Sequence, residues 1–261
     1  MAGPIVDPCP FACPECRLPL SFEDALECPR CKRQYLEPDG VACFNPSGLY
    51  HGPILSREEM TECFALAQAK GYRRAIDEDI AAKDPDFVRY ISASARRTGL
   101  ALLGLKGTER ILDFGCAYGV LSLELVKRAS MVVSLDVTRE KLQFLEIVKA
   151  QDQLKTLFPV CNGNPVRLPF TDDSFDWVLF NAVFEYLPQS IAIPDVRQAH
   201  LTALREVRRI LGPGGRLFLA TKNRYSYRYW MGEPDHSGLR FTSLMPRSLA
   251  NWITQKRTGQ P

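Results

Sequence analysis

The sequence predicts an α/β fold: a doubly wound parallel sheet preceded by a small cysteine-rich ribbon and a helical bridge. Three observations carry this. From Glu109 onward, short apolar segments alternate with helical patterns, as in parallel strands joined by helical crossovers. Near the N-terminus two Cys-x-x-Cys pairs stand close together, in a segment too short to bury a core of its own. Between these regions residues 47–107 show helical periodicity and no strand signal.

The 261 residues leave room for one full domain and something smaller, at about 150 residues per domain. A composition of 46% hydrophobic and 24% charged residues excludes a disordered or collagen-like chain. No run approaches the ~18 uninterrupted apolar residues of a membrane helix. Pro4, Pro8 and Pro10 stand where a secretory signal would place its apolar run, so the expectation is a cytoplasmic protein with no membrane partner. A net charge of +3 is too weak to imply nucleic acid, but residues 222–261 carry seven basic residues against two acidic ones. That end reads as a solvated tail or as a surface for an anionic partner.

In the ribbon, residues 1–46, Cys13-Pro-Glu-Cys16 is followed after eleven residues by Cys28-Pro-Arg-Cys31. Two such knuckles let four thiolates converge tetrahedrally on zinc, and four thiolates leave no open position, so the metal is expected to be structural. The competing readings are four free thiols or a redox pair. A redox motif needs one pair, not two flanked by turn residues. Nine cysteines without a secretion signal argue against a disulfide framework. Val41–Phe44 reads as the ribbon's last strand and Asn45-Pro-Ser-Gly48 as a linker. Cys43, Cys63, Cys116 and Cys161 read as small apolar residues.

The bridge, residues 47–107, opens with capping-box spacing at Ser56-Arg-Glu-Glu59, followed by a helix to about Lys70. A second helix is expected from Asp86 to about Leu103. In residues 108–261 the strands are Ile111–Phe114, Met131–Leu135, Leu157–Val160, Trp177–Phe180 and Arg216–Thr221. Helices are expected over Val120–Ala129, Thr138–Gln151 and Asp195–Leu211.

The first of these strands runs into Gly115-Cys-Ala-Tyr-Gly119 and then a helix. Glycines at such a turn let a ligand approach the backbone. The dinucleotide pattern G-x-G-x-x-G would need glycines where Ala117 and Val120 stand, and the Gly-Lys-Ser/Thr ending of a Walker loop is absent. Asp113 precedes the loop and Asp136 ends the second strand, where it can accept both ribose hydroxyls. Two carboxylates, a bare glycine turn and no phosphate cradle suit a nucleoside that carries positive charge, such as S-adenosylmethionine.

Here the chain resembles the class I S-adenosylmethionine-dependent methyltransferases. The likeness rests on Arg110–Gly119, Val133–Asp136, Gly163–Val178 and Leu211–Gly215, which occur in the family's order. It implies a Rossmann-like sheet with Asp113 and the loop residues Gly115, Cys116, Ala117 and Gly119 facing the methionine part. Asp136 would hold the ribose and Val137 lie beside the adenine. Asn164 stands where the family usually has an aspartate that receives the adenine amine. Pro165 lacks the backbone donor often offered there. Read singly, Asp113 and Asp136 also suit helix caps, and Asn164 a turn.

For the acceptor side, the family places contacts after the fourth and fifth strands. Asn181 and, by its titration range, His236 are the catalytic candidates. The ribbon and the basic aromatic stretch Lys222–Trp230 suggest an RNA acceptor. A small-molecule or glycan methyltransferase is the alternative, and a catalytically inactive binding module a third reading. The family's sheet has seven strands, yet only forty residues follow Thr221. The expectation is a sheet truncated after strand five, with strand 216–221 at an edge open to self-association or a partner.

Overall fold

A computed structural model describes residues 10–22, 26–46, 48, 55–92, 94–190, 195–223, 225–235 and 238–258. The chain divides into two units, Met1–Leu219 and Ala220–Pro261.

The first unit begins with an antiparallel pair, β1 (Ser21–Phe22) and β2 (Leu26–Glu27), and continues with β3 (Ala42–Phe44). The bridge contains α1 (Arg57–Lys70), α2 (Tyr72–Arg74), a π-helical turn at Ala75–Ile80 and α3 (Ala81–Lys83). It ends with α4 (Pro85–Ser92) and a 3₁₀ segment, Ser94–Leu102. Then come β4 (Arg110–Phe114), α5 (Ser122–Leu125), β5 (Met131–Asp136), α6 (Arg139–Gln151) and β6 (Leu157–Asn162). β7 (Phe175–Asn181), a 3₁₀ turn (Phe184–Ser190), α7 (Val196–Ile210) and β8 (Leu211–Ala220) complete it.

The main sheet has the order β3-β6-β5-β4-β7-β8, and the pairs β3–β6, β6–β5, β5–β4 and β4–β7 are parallel. This is the expected doubly wound α/β sheet with one correction: six strands, not five. The extra strand is β3, expected inside the ribbon. Cys43 lies opposite Cys161, and Phe44 opposite Asn162. The physical reason is burial. Val41, Ala42 and Phe44 are buried, and a 46-residue ribbon has no second layer to cover them, whereas the sheet edge at β6 does. At the opposite edge, β8 leaves Leu217 37% and Leu219 45% exposed, the edge position expected for strand 216–221.

Both sheet faces are covered. Ile111, Val132 and Leu179 pack with Leu121, Leu125, Leu142 and Leu145 on the side of α5 and α6. Leu112, Val133, Val178 and Phe180 pack with Val207 and Ile210 of α7 on the other. The ribbon shares this second core through Phe11, Leu26, Tyr35 and Phe44. Tyr35 stacks on Phe44 at 4.5 Å between centroids, and Phe11 lies 5.8 Å from Phe170.

In the bridge, Ser56 caps α1 with the reciprocal Glu59 bonds its spacing predicts. α1 lies on α6, where Met60, Cys63 and Ala67 pack with Phe144 and Val148. The second bridge helix stops at Ser92 and tightens to 3₁₀ winding around Gly99. Ser94, Thr98 and Gly99 are weak helix formers there. A Cβ at Gly99 would come within 2.8 Å of the tip of the Phe218 ring, so any other residue there requires that ring to shift.

In the second unit, α8 (Tyr227–Trp230) is followed by a 3₁₀ turn at Thr242–Leu244 and α9 (Arg247–Thr258). Asp235 Oδ2 accepts from the Thr242 and Ser243 hydroxyls at 2.6 and 2.8 Å. Tyr225, Tyr227, Trp230 and Trp252 are exposed. Among the described residues no helix is long and apolar enough to cross a membrane.

Candidate cofactor site and thiolate cluster

The strand order reverses at β4, which has β5 on one side and β7 on the other. The crevice beyond the C-terminal ends of these strands is where open α/β sheets bind ligands. The glycine loop lies there. Gly115, Ala117 and Gly119 all have positive φ (72°, 50° and 76°), which lets the chain turn within five residues. The Gly115 and Cys116 amides donate to Leu135 O at 2.7 and 3.0 Å, tying the loop to β5. A Cβ on Gly115 would stand 2.3 Å from Val183 Cγ2, and one on Gly119 2.6 Å from Leu145 Cδ1.

Both carboxylates are buried, Asp113 at 2% and Asp136 at 6% exposure. The structure places Asp136 among backbone amides. Its Oδ2 accepts from Ala117 N at 2.9 Å and its Oδ1 from Thr138 N at 2.8 Å. Each oxygen keeps a second lone pair for a hydroxyl. Asp113 Oδ2 accepts from Ser122 Oγ at 2.6 Å, and Ser122 Oγ in turn accepts from Ser134 Oγ at 2.7 Å. Burial, with Asp136 and Asp113 nearby, pushes the Cys116 thiol well above its ordinary pKa. The two carboxylates next to the loop, Asp113 and Asp136, suit a cationic ligand and oppose a pyrophosphate.

Beyond the ends of β5 and β6, Val137 O accepts from Cys161 Sγ at 3.8 Å. Asn164 Oδ1 accepts from Val166 N at 3.1 Å, so its amide oxygen already closes a turn, and Pro165 is buried within that turn. Asn162 Nδ2 donates to Asn164 O at 2.8 Å, and Asn45 Nδ2 to Asn162 Oδ1 at 3.2 Å.

Of the two acceptor-side candidates, Asn181 ends β7 one residue beyond the Phe114–Phe180 pair, which sets it alongside Gly115. His236 lies outside the described residues. The segment after β7 is held by His200, whose Nε2 lies 3.0 Å from Phe184 O while its ring stacks on Phe184 at 4.4 Å.

The four predicted ligands converge: the sulfur atoms of Cys13, Cys16, Cys28 and Cys31 all lie within 4.8 Å of one another. The two knuckles are copies at a fifteen-residue offset. Cys16 N donates to Cys13 Sγ at 3.3 Å and Cys31 N to Cys28 Sγ at 3.5 Å. Arg17 and Lys32 follow with φ of 59° and 58°, and their amides donate to Cys13 O and Cys28 O. Burial resists ionisation of Cys13, but hydrogen bonds from Tyr35 and from the Cys16 and Glu15 amides bring its pKa down to about 7. Desolvation and the other three thiols push Cys16 up to about 12. Four sulfurs this close cannot all ionise alone; a dication resolves the conflict, and the donor set fits one.

Sequence reasoning missed Ser122 and Ser134, whose polarity on buried elements was the available signal, and Val183, Arg17, Arg167 and Glu206, whose pairings cross the chain and leave no local pattern.

Residues 112–219 match a family described as a methyltransferase domain. A ubiquinone biosynthesis O-methyltransferase of Aeromonas salmonicida is 27% identical over 128 residues, 49% of this chain and 49% of that protein. An uncharacterized methyltransferase of Mycobacterium bovis is 33% identical over 124 residues, 48% of this chain and 44% of that protein. A solved SAM-dependent methyltransferase from Aquifex aeolicus is 19% identical and covers 62% of this chain and 77% of its own, with a TM-score of 0.43. The chain thus spans about half the length of these two curated relatives.

Proposed function

We propose that this chain, whose residues 112–219 form a class I S-adenosylmethionine-dependent methyltransferase domain, transfers the cofactor's methyl group to a small-molecule acceptor. One observation carries the cofactor reading: buried Asp136 at the end of β5 secures the bare Gly115–Gly119 turn and has acceptor capacity left for ribose hydroxyls. When bound, the cofactor supplies a sulfonium-activated methyl group. The chain's part is to align the acceptor in line and exclude water. Asp136 holds the ribose, Val137 and the Asn164–Pro165 turn border the adenine, and Asp113 adds negative charge behind the loop. Asn181 lies on the acceptor side. The thiolate cluster is proposed to hold one structural zinc.

The acceptor class rests on the relatives named as acting in ubiquinone biosynthesis. Calorimetry with S-adenosylmethionine tests the cofactor site. Transfer of a labelled methyl group is then measured in parallel on metabolite extracts and on RNA. Label appearing only in RNA would overturn the small-molecule reading and leave the cofactor site standing.

A further inference from the structure

The segment 162–171 carries the proposed adenine contacts and is gripped at both ends by the N-terminal ribbon. At its start, Gly163 N donates to Asn45 O at 3.0 Å and Asn45 bonds Asn162. At its end, Ala12 N donates to Pro169 O at 3.0 Å and Thr171 N to Pro10 O at 2.8 Å. In its middle, Arg167 Nε donates to Pro14 O and its Nη2 to Glu15 O at 3.2 Å. Those two carbonyls belong to the residues between Cys13 and Cys16. Arg17, which closes that knuckle, donates back to Leu168 O at 3.3 Å.

The connection to the nucleoside is short. Arg167 N donates to Asn164 O at 3.2 Å, which ties the backbone of the residue that reads the knuckle to the turn around Pro165. The knuckle carbonyls point at Arg167 only while the Cys13–Cys16 backbone is bent around its sulfurs. Four converged thiolates hold that bend when a metal joins them, and without one no bond bridges the two knuckles.

We infer that the first knuckle is a positioning element for the nucleoside loop, with Arg167 the residue that couples them, so that metal in the thiolate cluster and cofactor in the core bind cooperatively. This rests on the cofactor and zinc readings above. Linkage makes the coupling reciprocal: whatever factor the metal adds to cofactor affinity, the cofactor adds to metal affinity.

The test uses S-adenosylhomocysteine and zinc on the full chain. Calorimetry gives the S-adenosylhomocysteine affinity of zinc-loaded wild type, of metal-stripped protein and of zinc-loaded Arg167→Ala and Arg167→Lys. Chelator competition gives zinc affinity with and without saturating S-adenosylhomocysteine. Metal removal and Arg167→Ala should each weaken binding about tenfold, within the usual range for coupled sites. Lysine, which cannot fork onto two carbonyls, should rescue only in part. Saturating S-adenosylhomocysteine should raise zinc affinity by a similar factor in wild type and not in Arg167→Ala, a difference that lost stability alone does not produce. Should the stripped protein unfold, the gain in zinc affinity is compared between wild type and Arg167→Lys, because any ligand of the folded state raises zinc affinity through folding alone; an equal gain overturns the coupling. Binding of S-adenosylhomocysteine with unchanged zinc affinity overturns the coupling alone. Failure of zinc-loaded wild type to bind it overturns the cofactor reading, and the coupling with it.

Discussion

The Ala117 amide donates to Asp136 Oδ2 over 2.9 Å, so the carboxylate proposed to receive the ribose also fixes the turn beneath the ligand. Asp136→Ala removes both. Charged hydrogen bonds contribute ~1.5–3 kcal/mol each, so cofactor affinity should fall at least about tenfold. The fold should also lose about 1–3 kcal/mol, because the Ala117 and Thr138 amides lose a buried acceptor. Asp136→Asn, which keeps one acceptor oxygen, should fall between. Calorimetry and urea unfolding measure the two effects separately, and unchanged affinity in the alanine variant would remove the site's main anchor.

Gly115 and Val183 make the second prediction. With φ at 72° and a Cβ 2.3 Å from Val183 Cγ2, Gly115→Ala faces both backbone strain and a clash. The expected cost is about 1–3 kcal/mol, with weaker cofactor binding. Adding Val183→Ala should recover the part due to the clash and leave the part due to φ. A double-mutant cycle with no coupling between the two positions would refute this contact.

What the sequence revealed follows from how local each feature is. The strand that carries Asp113, the glycine turn, Asp136 and the four cysteines are each set by residues close in sequence, so spacing and residue type were enough. The capping box at Ser56 was legible for the same reason. The placement of β3 was not, because Ala42–Phe44 read alike whether they pair within the ribbon or with β6, and the bond that accompanies the pairing, Asn45 to Asn162, spans 117 residues. Nor did the periodicity of residues 86–103 reveal that the winding tightens after Ser92, where Gly99 meets Phe218 from a strand far along the chain. Local pattern also gave no sign of the contact between ribbon and core, where Arg167 donates to the Pro14 and Glu15 carbonyls more than 150 residues away in sequence.

The thiolate cluster predicts about one zinc per chain in protein purified without chelator. Cys28→Ser should lose it, because three thiolates and a hydroxyl bind zinc far more weakly than four thiolates. The loss should extend beyond the ribbon, since Cys28 and Tyr35 pack in the same core as Phe44 and Phe170. Elemental analysis and thermal unfolding of wild type and variant check both points; a full zinc equivalent in Cys28→Ser would exclude this ligand set.

Glu206 makes the last prediction, one with a pH signature. Arg17 meets it with both ends of its guanidinium, Nη1 at 3.1 Å and Nη2 at 3.2 Å, across 189 residues of sequence. Arg209 joins from the next turn of α7, and Leu168 N donates to Oε2 at 3.0 Å. Burial works against the charge, but the two arginines and the Leu168 amide prevail and hold the carboxyl below the ordinary glutamate range. A depressed pKa stabilises the fold above the unfolded value of about 4.3, and that contribution is lost as pH falls through the lower, folded value. Glu206→Gln, which cannot carry the charge, should therefore cost about 2 kcal/mol near pH 7. On acidification the wild-type advantage should shrink until the two proteins unfold alike, because protonated Glu206 and glutamine are nearly equivalent partners for Arg17. Any metal in the thiolate cluster leaves both proteins alike at low pH, so the difference between their urea midpoints isolates the carboxylate. An advantage that persists undiminished below the carboxylate range would mean that the charge on Glu206 does not hold the ribbon to α7.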